Sequence, residues 1–118
     1  MNKKEIGNKY ETLAINYLVS KGYTILEHNY RNKMGEIDIL AMDRDTIVAI
    51  EVKYRNDMSY GDPLEAVTLA KQRRISRTFL VYYSAHGYSD NTPCRFDVIG
   101  IYGTDNIVHI ENAFEFVY

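Results

Sequence analysis

Glu36-Ile37-Asp38-Ile39-Leu40-Ala41 and Thr46-Ile47-Val48-Ala49-Ile50-Glu51-Val52-Lys53-Tyr54, separated by Met42-Asp43-Arg44-Asp45, are the residues whose reading decides the fold. Apolar and β-branched residues dominate both runs and the break between them is polar, the pattern of a β-hairpin. Side chains alternate faces along a strand. Glu36, Asp38 and Leu40 therefore share one face of the first strand, and Ile47, Ala49, Glu51 and Lys53 share one face of the second. A two-residue loop, Arg44-Asp45, sets Asp38 opposite Glu51, and a four-residue loop sets it opposite Ala49. Either register leaves both carboxylates on one face, with about 4.5 to 8 Å between their Cβ atoms. The run Ile47-Val48-Ala49-Ile50 leading into Glu51 marks a central strand, buried on both sides.

Outward from the hairpin, Tyr10, Leu13, Ala14, Tyr17 and Leu18 fall at the spacing of an amphipathic helix over residues 3–21, with Gly22 as its stop. Tyr23 to Tyr30 reads as a strand, followed by a turn over Arg31-Asn32-Lys33-Met34-Gly35. Asp62-Pro63-Leu64-Glu65 resembles a capped helix start, and the helix, re-initiated at Thr68, runs to about Tyr83. A loop spans 85–93. Strands follow over Arg95 to Tyr102 and Ile107 to Ile110, joined by the turn Gly103-Thr104-Asp105-Asn106. The order α-β-β-β-α-β-β predicts one α/β domain over residues 1–118, a mixed sheet flanked by helices.

With 46% hydrophobic and 25% charged residues, the 118-residue chain suits one modest core. Its basic start runs into polar residues rather than an apolar stretch, and no run reaches membrane-spanning length, so a cytoplasmic protein is expected. Cys94 stands alone and excludes an internal disulfide. The net charge of −2 is unlike that of proteins that grip nucleic acid over their whole surface, which are basic overall. Any such binding must be local. Arg31-Asn32-Lys33 is one candidate patch and Lys71, Gln72, Arg73, Arg74 and Arg77 form another; each is also compatible with an ordinary solvated face. His28, His86 and His109 show no ligand spacing.

Two carboxylates about 4 Å apart repel by roughly 4 kcal/mol at an effective dielectric near 20. Asp38 and Glu51 therefore call for a cation between them or a proton on one of them. Carboxylate oxygens on a rigid, partly open sheet suit Mg²⁺ or Mn²⁺, with water, a carbonyl or a substrate phosphate completing the shell. Lys53, two residues past Glu51 on the same face, adds a point cation for an attacking water or a phosphate. The competing reading makes Glu51 and Lys53 a surface ion pair of little energetic value.

Gly35-Glu36-Ile37-Asp38 followed by Glu51-Val52-Lys53 resembles the PD-(D/E)xK signature of restriction-endonuclease-like nucleases, with Ile37 standing where the superfamily name has proline. The chain is also similar to the YraN family of endonuclease-like proteins and to archaeal Holliday-junction resolvases. That likeness extends through Gly7-Asn8-Lys9-Tyr10-Glu11, Pro63-Leu64-Glu65-Ala66-Val67, Lys71-Gln72-Arg73-Arg74-Ile75 and Arg95-Phe96-Asp97-Val98. The resemblance implies a restriction-endonuclease-like fold and Mg²⁺- or Mn²⁺-dependent hydrolysis of nucleic-acid phosphodiesters, with branched DNA as a candidate substrate. It makes Asp38, Glu51, Val52 and Glu11 the metal set, Lys53 the catalytic cation, and Gln72 a supporting polar residue. Arg31, Lys33, Lys71, Arg73 and Arg74 become the nucleic-acid contacts. A homodimer is the assembly that a two-fold junction would favour. The alternative is a binding module that keeps the fold without hydrolysis. Asp97 is expected to form a structural salt bridge with an arginine.

Overall fold

The computed structural model describes residues 2–56, 61–104 and 106–118. Helix α1 (Lys3–Ser20) is followed by strands β1 (Thr24–Asn32), β2 (Gly35–Asp43) and β3 (Thr46–Arg55). A 3-10 turn over Pro63–Ala66 leads to α2 (Leu69–Ala85), and β4 (Cys94–Tyr102) and β5 (Asn106–Phe114) complete the chain. The five strands form one sheet in the order β1-β2-β3-β4-β5. β3 and β4 run parallel and the other neighbours antiparallel. This is the expected mixed α/β architecture and element order. α2 occupies the crossover between the two parallel strands, a connection that cannot be a tight turn.

Each face of the sheet buries one helix. Tyr10, Ala14 and Leu18 of α1 pack on Ile39, Ala41, Val48, Ile50, Ile99 and Ile101. Ile75, Phe79 and Tyr82 of α2 pack on Leu40, Ile47, Ala49, Phe96 and Val98. Ile47, Val48, Ala49 and Ile50 are at most 2% exposed, which confirms β3 as a central strand covered on both sides. Burying each Ile or Val side chain contributes about 1.5 to 3 kcal/mol, so the four apolar residues before Glu51 anchor the strand that carries the charged group. Among the described residues no helix is long and apolar enough to cross a membrane.

The boundaries differ from expectation in three places, each with a local cause. β1 extends through Arg31 and Asn32, because Asn32 pairs with Gly35 and only Lys33 and Met34 form the turn. The helix start expected at Asp62 is instead a 3-10 turn capped by Asp62, whereas the re-initiation expected at Thr68 is where α2 begins, capped by the Thr68 hydroxyl. That turn is seated by Gly100, where an added Cβ would stand 2.7 Å from the Pro63 ring. Finally, β5 runs to Phe114 rather than Ile110. Its register shifts between the Phe96 and Val98 pairings, and Asn112 takes a positive φ of 51° there. The Asn112 N–H donates to the Asp97 carboxylate at 2.9 Å, so a side chain supplies the acceptor that the displaced ladder lacks. The turn joining β4 and β5 includes Asp105, which lies outside the described residues.

Asp97 is 1% exposed and holds more than the bulge. Arg95 donates to it through Nε at 3.0 Å and Nη2 at 3.2 Å, and His109 Nε2 lies 2.8 Å away. Arg95 also reaches Asp43 at 2.9 Å and the Tyr23 hydroxyl at 2.6 Å, while His109 Nδ1 meets the Tyr17 hydroxyl of α1 at 3.1 Å. The expected arginine partner of Asp97 is thus Arg95, and His109 is a member of the same network rather than an isolated side chain. Burial alone would push the Asp97 carboxyl up, but the hydrogen bonds from His109, Arg95 and Asn112 outweigh it and hold the group below the ordinary aspartate range. Replacing Arg95 with Ala leaves a buried carboxylate short of its main cation. The variant is expected to lose about 3 kcal/mol of stability in urea denaturation at neutral pH; a loss under about 1 kcal/mol would show the network to be dispensable.

Candidate active site

The hairpin takes the shorter of its two registers. Asp43 pairs with Thr46 and Ile39 with Ile50, with Arg44 at a positive φ of 58° in the turn. Continued by one step, that register sets Asp38 opposite Glu51, but regular β2–β3 pairing stops at Ile39 and Ile50. Beyond that point the Asp38 carboxylate replaces main chain as acceptor, taking the Val52 N–H at 2.8 Å. Strict alternation also breaks here. Ile37 joins the α2-side cluster, while Ile39, two residues on, joins the α1-side cluster. On β1, Asn29 stands between the residues paired with Ile39 and Ile37 and takes a positive φ of 55°. Three strands therefore lose regularity at one level, and a cavity of about 370 Å³ opens there.

Its walls carry Glu11, Asn29, Glu36, Asp38, Glu51, Lys71 and Arg74. Asp38 and Glu51 lie within reach of sharing a proton. Burial, and next the Asp38 charge, push the Glu51 carboxyl up to about 8. Asp38 is raised too, mainly by burial, with the Val52 N–H opposing the rise. Among the described residues Glu51 Oε2 is buried without a hydrogen-bond donor, whereas Oε1 is 3.7 Å from Lys53 Nζ, both side chains being 16% exposed. The surface-ion-pair reading does not describe such a pair. A buried acceptor with no donor costs about 1 to 3 kcal/mol, and a cation or a proton removes that cost. The two carboxylates and the orphaned oxygen thus fit a hard divalent cation.

Glu11 reaches this cavity from α1. Its carboxyl is raised by burial and then by Asp38, and Oε2 sits 3.7 Å from His28 Nε2. Among the described residues no group of three or more His, Cys, Asp or Glu side chains is close enough to form a ligand set. The acidic centre is accordingly a pair with Glu11 beside it. A pair is enough for Mg²⁺, which commonly uses one or two carboxylates and keeps several waters.

Lys71, expected only as part of a basic surface, is brought into the centre. It lines the cavity, and its ammonium is held below the ordinary lysine range chiefly by Lys53 beside it. Nothing in the sequence singled it out from its basic neighbours Arg73 and Arg74. Gln72 instead turns its amide to the Val67 carbonyl at 3.0 Å. Arg73 donates to the Tyr118 carbonyl at 3.1 Å, and Arg31 pairs with Glu36 at 3.2 Å. Asn29 carried no sequence signal beyond its tolerance of left-handed backbone.

A family model described as "Uncharacterised protein family UPF0102" matches residues 10–101. A UPF0102 protein of Lachnoclostridium phytofermentans is 47% identical over 115 residues, covering 98% of this chain and 97% of its own. The chain belongs to the UPF0102 family. Other UPF0102 proteins, from Clostridioides difficile (strain 630) and Thermodesulfovibrio yellowstonii, are 48% and 46% identical; they cover 97% of this chain in each case and 100% and 99% of their own lengths. The YraN-like resemblance of the sequence is placed by these matches within UPF0102. The matched span contains Glu11, Asp38, Glu51, Lys53 and Lys71, so this UPF0102 chain carries its whole acidic centre inside the family region.

The raised Glu51 links stability to pH. Its folded pKa of about 8 exceeds its ordinary 4.5, so the folded state binds the proton more tightly. The associated stability is complete below the lower value and is lost as pH rises through the higher one. Thermal melts in EDTA should show a falling midpoint between about pH 5 and pH 8.5. Glu51→Gln should flatten that fall, and Mg²⁺ or Mn²⁺ should reverse it at the alkaline end. A pH-independent midpoint in the parent chain would contradict the assignment.

Proposed function

We propose that this protein is a metal-dependent endonuclease that hydrolyses nucleic-acid phosphodiesters, with branched or otherwise structured DNA as its substrate class. The observation that carries this reading is the buried pair Asp38 and Glu51, with Glu51 Oε2 lacking a donor among the described residues, in a cavity that also holds Lys71 and Arg74. A phosphodiester is repelled by that acidic pair until a divalent cation neutralises it.

Asp38 and Glu51 would hold Mg²⁺ or Mn²⁺. The Val52 carbonyl, which points along the same strand edge as its N–H, is the main-chain candidate beside them, and Glu11 is placed to act through water. When bound, the cation supplies Lewis acidity toward the phosphate and its attacking water. The remaining tasks fall to side chains of the chain itself. Asp38 is kept in place by the Val52 N–H, which fixes one carboxylate on the rigid sheet. Lys53, only 16% exposed, offers its charge where screening by water is weak, either to the nucleophile or to the charge that develops on the phosphate. Lys71 and Arg74 suit the non-bridging oxygens, Arg74 by its planar fork and Lys71 as a point charge.

Glu51→Ala and Lys53→Ala are each expected to lower Mn²⁺-dependent cleavage of a flapped, branched and single-stranded substrate panel by about 10² to 10³. Cleavage equal to that of the parent would end the assignment. A non-hydrolytic binding module would bind the same substrates without turnover. Calorimetric titration with Mn²⁺ separates the two, because the nuclease reading requires a cation site that Asp38→Ala abolishes.

A further inference from the structure

The turn between β1 and β2 presents a methionine to solvent amid positive charge. Met34 is 37% exposed and separates two shallow clefts. One is lined by Arg31, Lys33 and Gly35, the other by Arg73, Arg74 and Arg77 of α2. Each continues into the acidic cavity, the first through Gly35 and Glu36 and the second through Arg74. α2 contains no acidic residue over its whole length, so this end of the molecule is locally basic although the chain is net negative.

The methionine is held in place. Its N–H donates to Asn32 Oδ1 at 2.8 Å, and the Asn32 amide donates to the Thr78 carbonyl of α2 and to the Tyr30 hydroxyl, each at 3.1 Å. Gly35 lets the turn lie against the helix: a Cβ there would meet Thr78 Oγ1 at 2.9 Å and Arg74 Cγ at 3.0 Å. The backbone beneath Met34 is thus pinned to α2, while its side chain, 37% exposed, forms the ridge that both clefts share. The ion pair between Arg31 and Glu36 is solvent-exposed, with side chains 76% and 58% accessible, so the guanidinium can exchange its partner for a phosphate at small cost.

We propose that Met34 is a wedge that enters nucleic acid where base stacking is interrupted, with the cations on either side of it holding the two backbones that diverge at that point. Proteins that insert apolar side chains between bases must break stacking, and the penalty is smallest where a branch, flap or nick has already broken it. A polarizable, unbranched side chain suits that contact because it adapts to any base face. Flanking Arg and Lys satisfy the phosphates, which supply most of the affinity but carry no information about the break. Met34 therefore reads the discontinuity, and its position beside the acidic cavity sets the scissile phosphate close to the branch point. This inference rests on the nuclease reading for its polymer, but binding alone tests it.

The measurement is fluorescence anisotropy in Ca²⁺, a carboxylate-binding cation that neutralises the acidic pair, with a linear duplex and a flapped or four-way junction of equal length, each carrying 2-aminopurine at the break or at the equivalent base. The parent chain should bind the branched DNA at least about tenfold more tightly than the duplex, with a rise in 2-aminopurine emission. Met34→Ala should bring that ratio close to one and abolish the rise while changing duplex affinity by less than about twofold. Met34→Leu should restore the ratio, and Arg77→Ala should weaken both substrates alike. An unchanged ratio in Met34→Ala overturns the wedge, whatever the cleavage assays give. Failure of the parent chain to bind any DNA overturns the wedge and the nucleic-acid reading together. Binding with the expected ratios but without Mn²⁺-dependent cleavage removes the nuclease assignment and leaves the wedge standing.

Discussion

The hydrogen bond from the Val52 N–H to the Asp38 carboxylate is the contact on which the centre depends. It lies where β2 and β3 cease to pair through their main chains, and it lets a side chain do the work of a ladder acceptor. Without it the strands would either close, sealing the cavity, or part, leaving a buried N–H unpaired. With it, Asp38 becomes part of the sheet, and Glu51 must accommodate a charge that cannot move away. Burial, and next the Asp38 charge, raise the Glu51 carboxyl, whose Oε2 has no donor among the described residues. A strained acidic pair on a stable sheet is an instance of cost concentrated at a site and offset by the surrounding core.

Much of this was legible in the chain. The apolar run Ile47 to Ile50 identified the central strand, and parity along the hairpin brought Asp38 and Glu51 to one place under either register. Periodicity of two, read over short stretches, survives small errors in boundary. What it cannot foresee is a break in its own rule, and the irregularity that seats Ile37 on the α2 side, one residue along from a left-handed Asn29 on β1, is such a break. The position of Lys71 was equally hidden, because a basic helix face gives no sign of which residue will meet a carboxylate across the crossover. The length of β5 escaped for the same reason: the acceptor for Asn112 is Asp97, a side chain on another strand. Tertiary partners, rather than weak local propensity, account for each of these differences.

Charge is divided between the two ends of the fold. Around Asp97, cations and anions are matched at short range, so that region contributes rigidity and little external field. Around Asp38 and Glu51, a buried acidic pair shares its cavity with Lys71 and Arg74, and the arginines of α2 extend the positive charge away from it. That separation permits a chain of net charge −2 to attract an anionic polymer in one place and repel it elsewhere.

The parallel pairing of β3 with β4 has a kinetic consequence. Asp38 and Glu51 meet through a hairpin whose strands are neighbours in sequence, and closing such a short loop requires little chain ordering. Lys71, by contrast, reaches them only once the crossover helix has docked on the sheet, a closure that encloses a longer loop. Asp38, Glu51 and Lys53 are therefore local to the hairpin, whereas Lys71 and Arg74 join them across the crossover. During synthesis the hairpin that carries Asp38, Glu51 and Lys53 is complete before the helix that carries Lys71 and Arg74 has been made, so the cations of the centre arrive in two instalments.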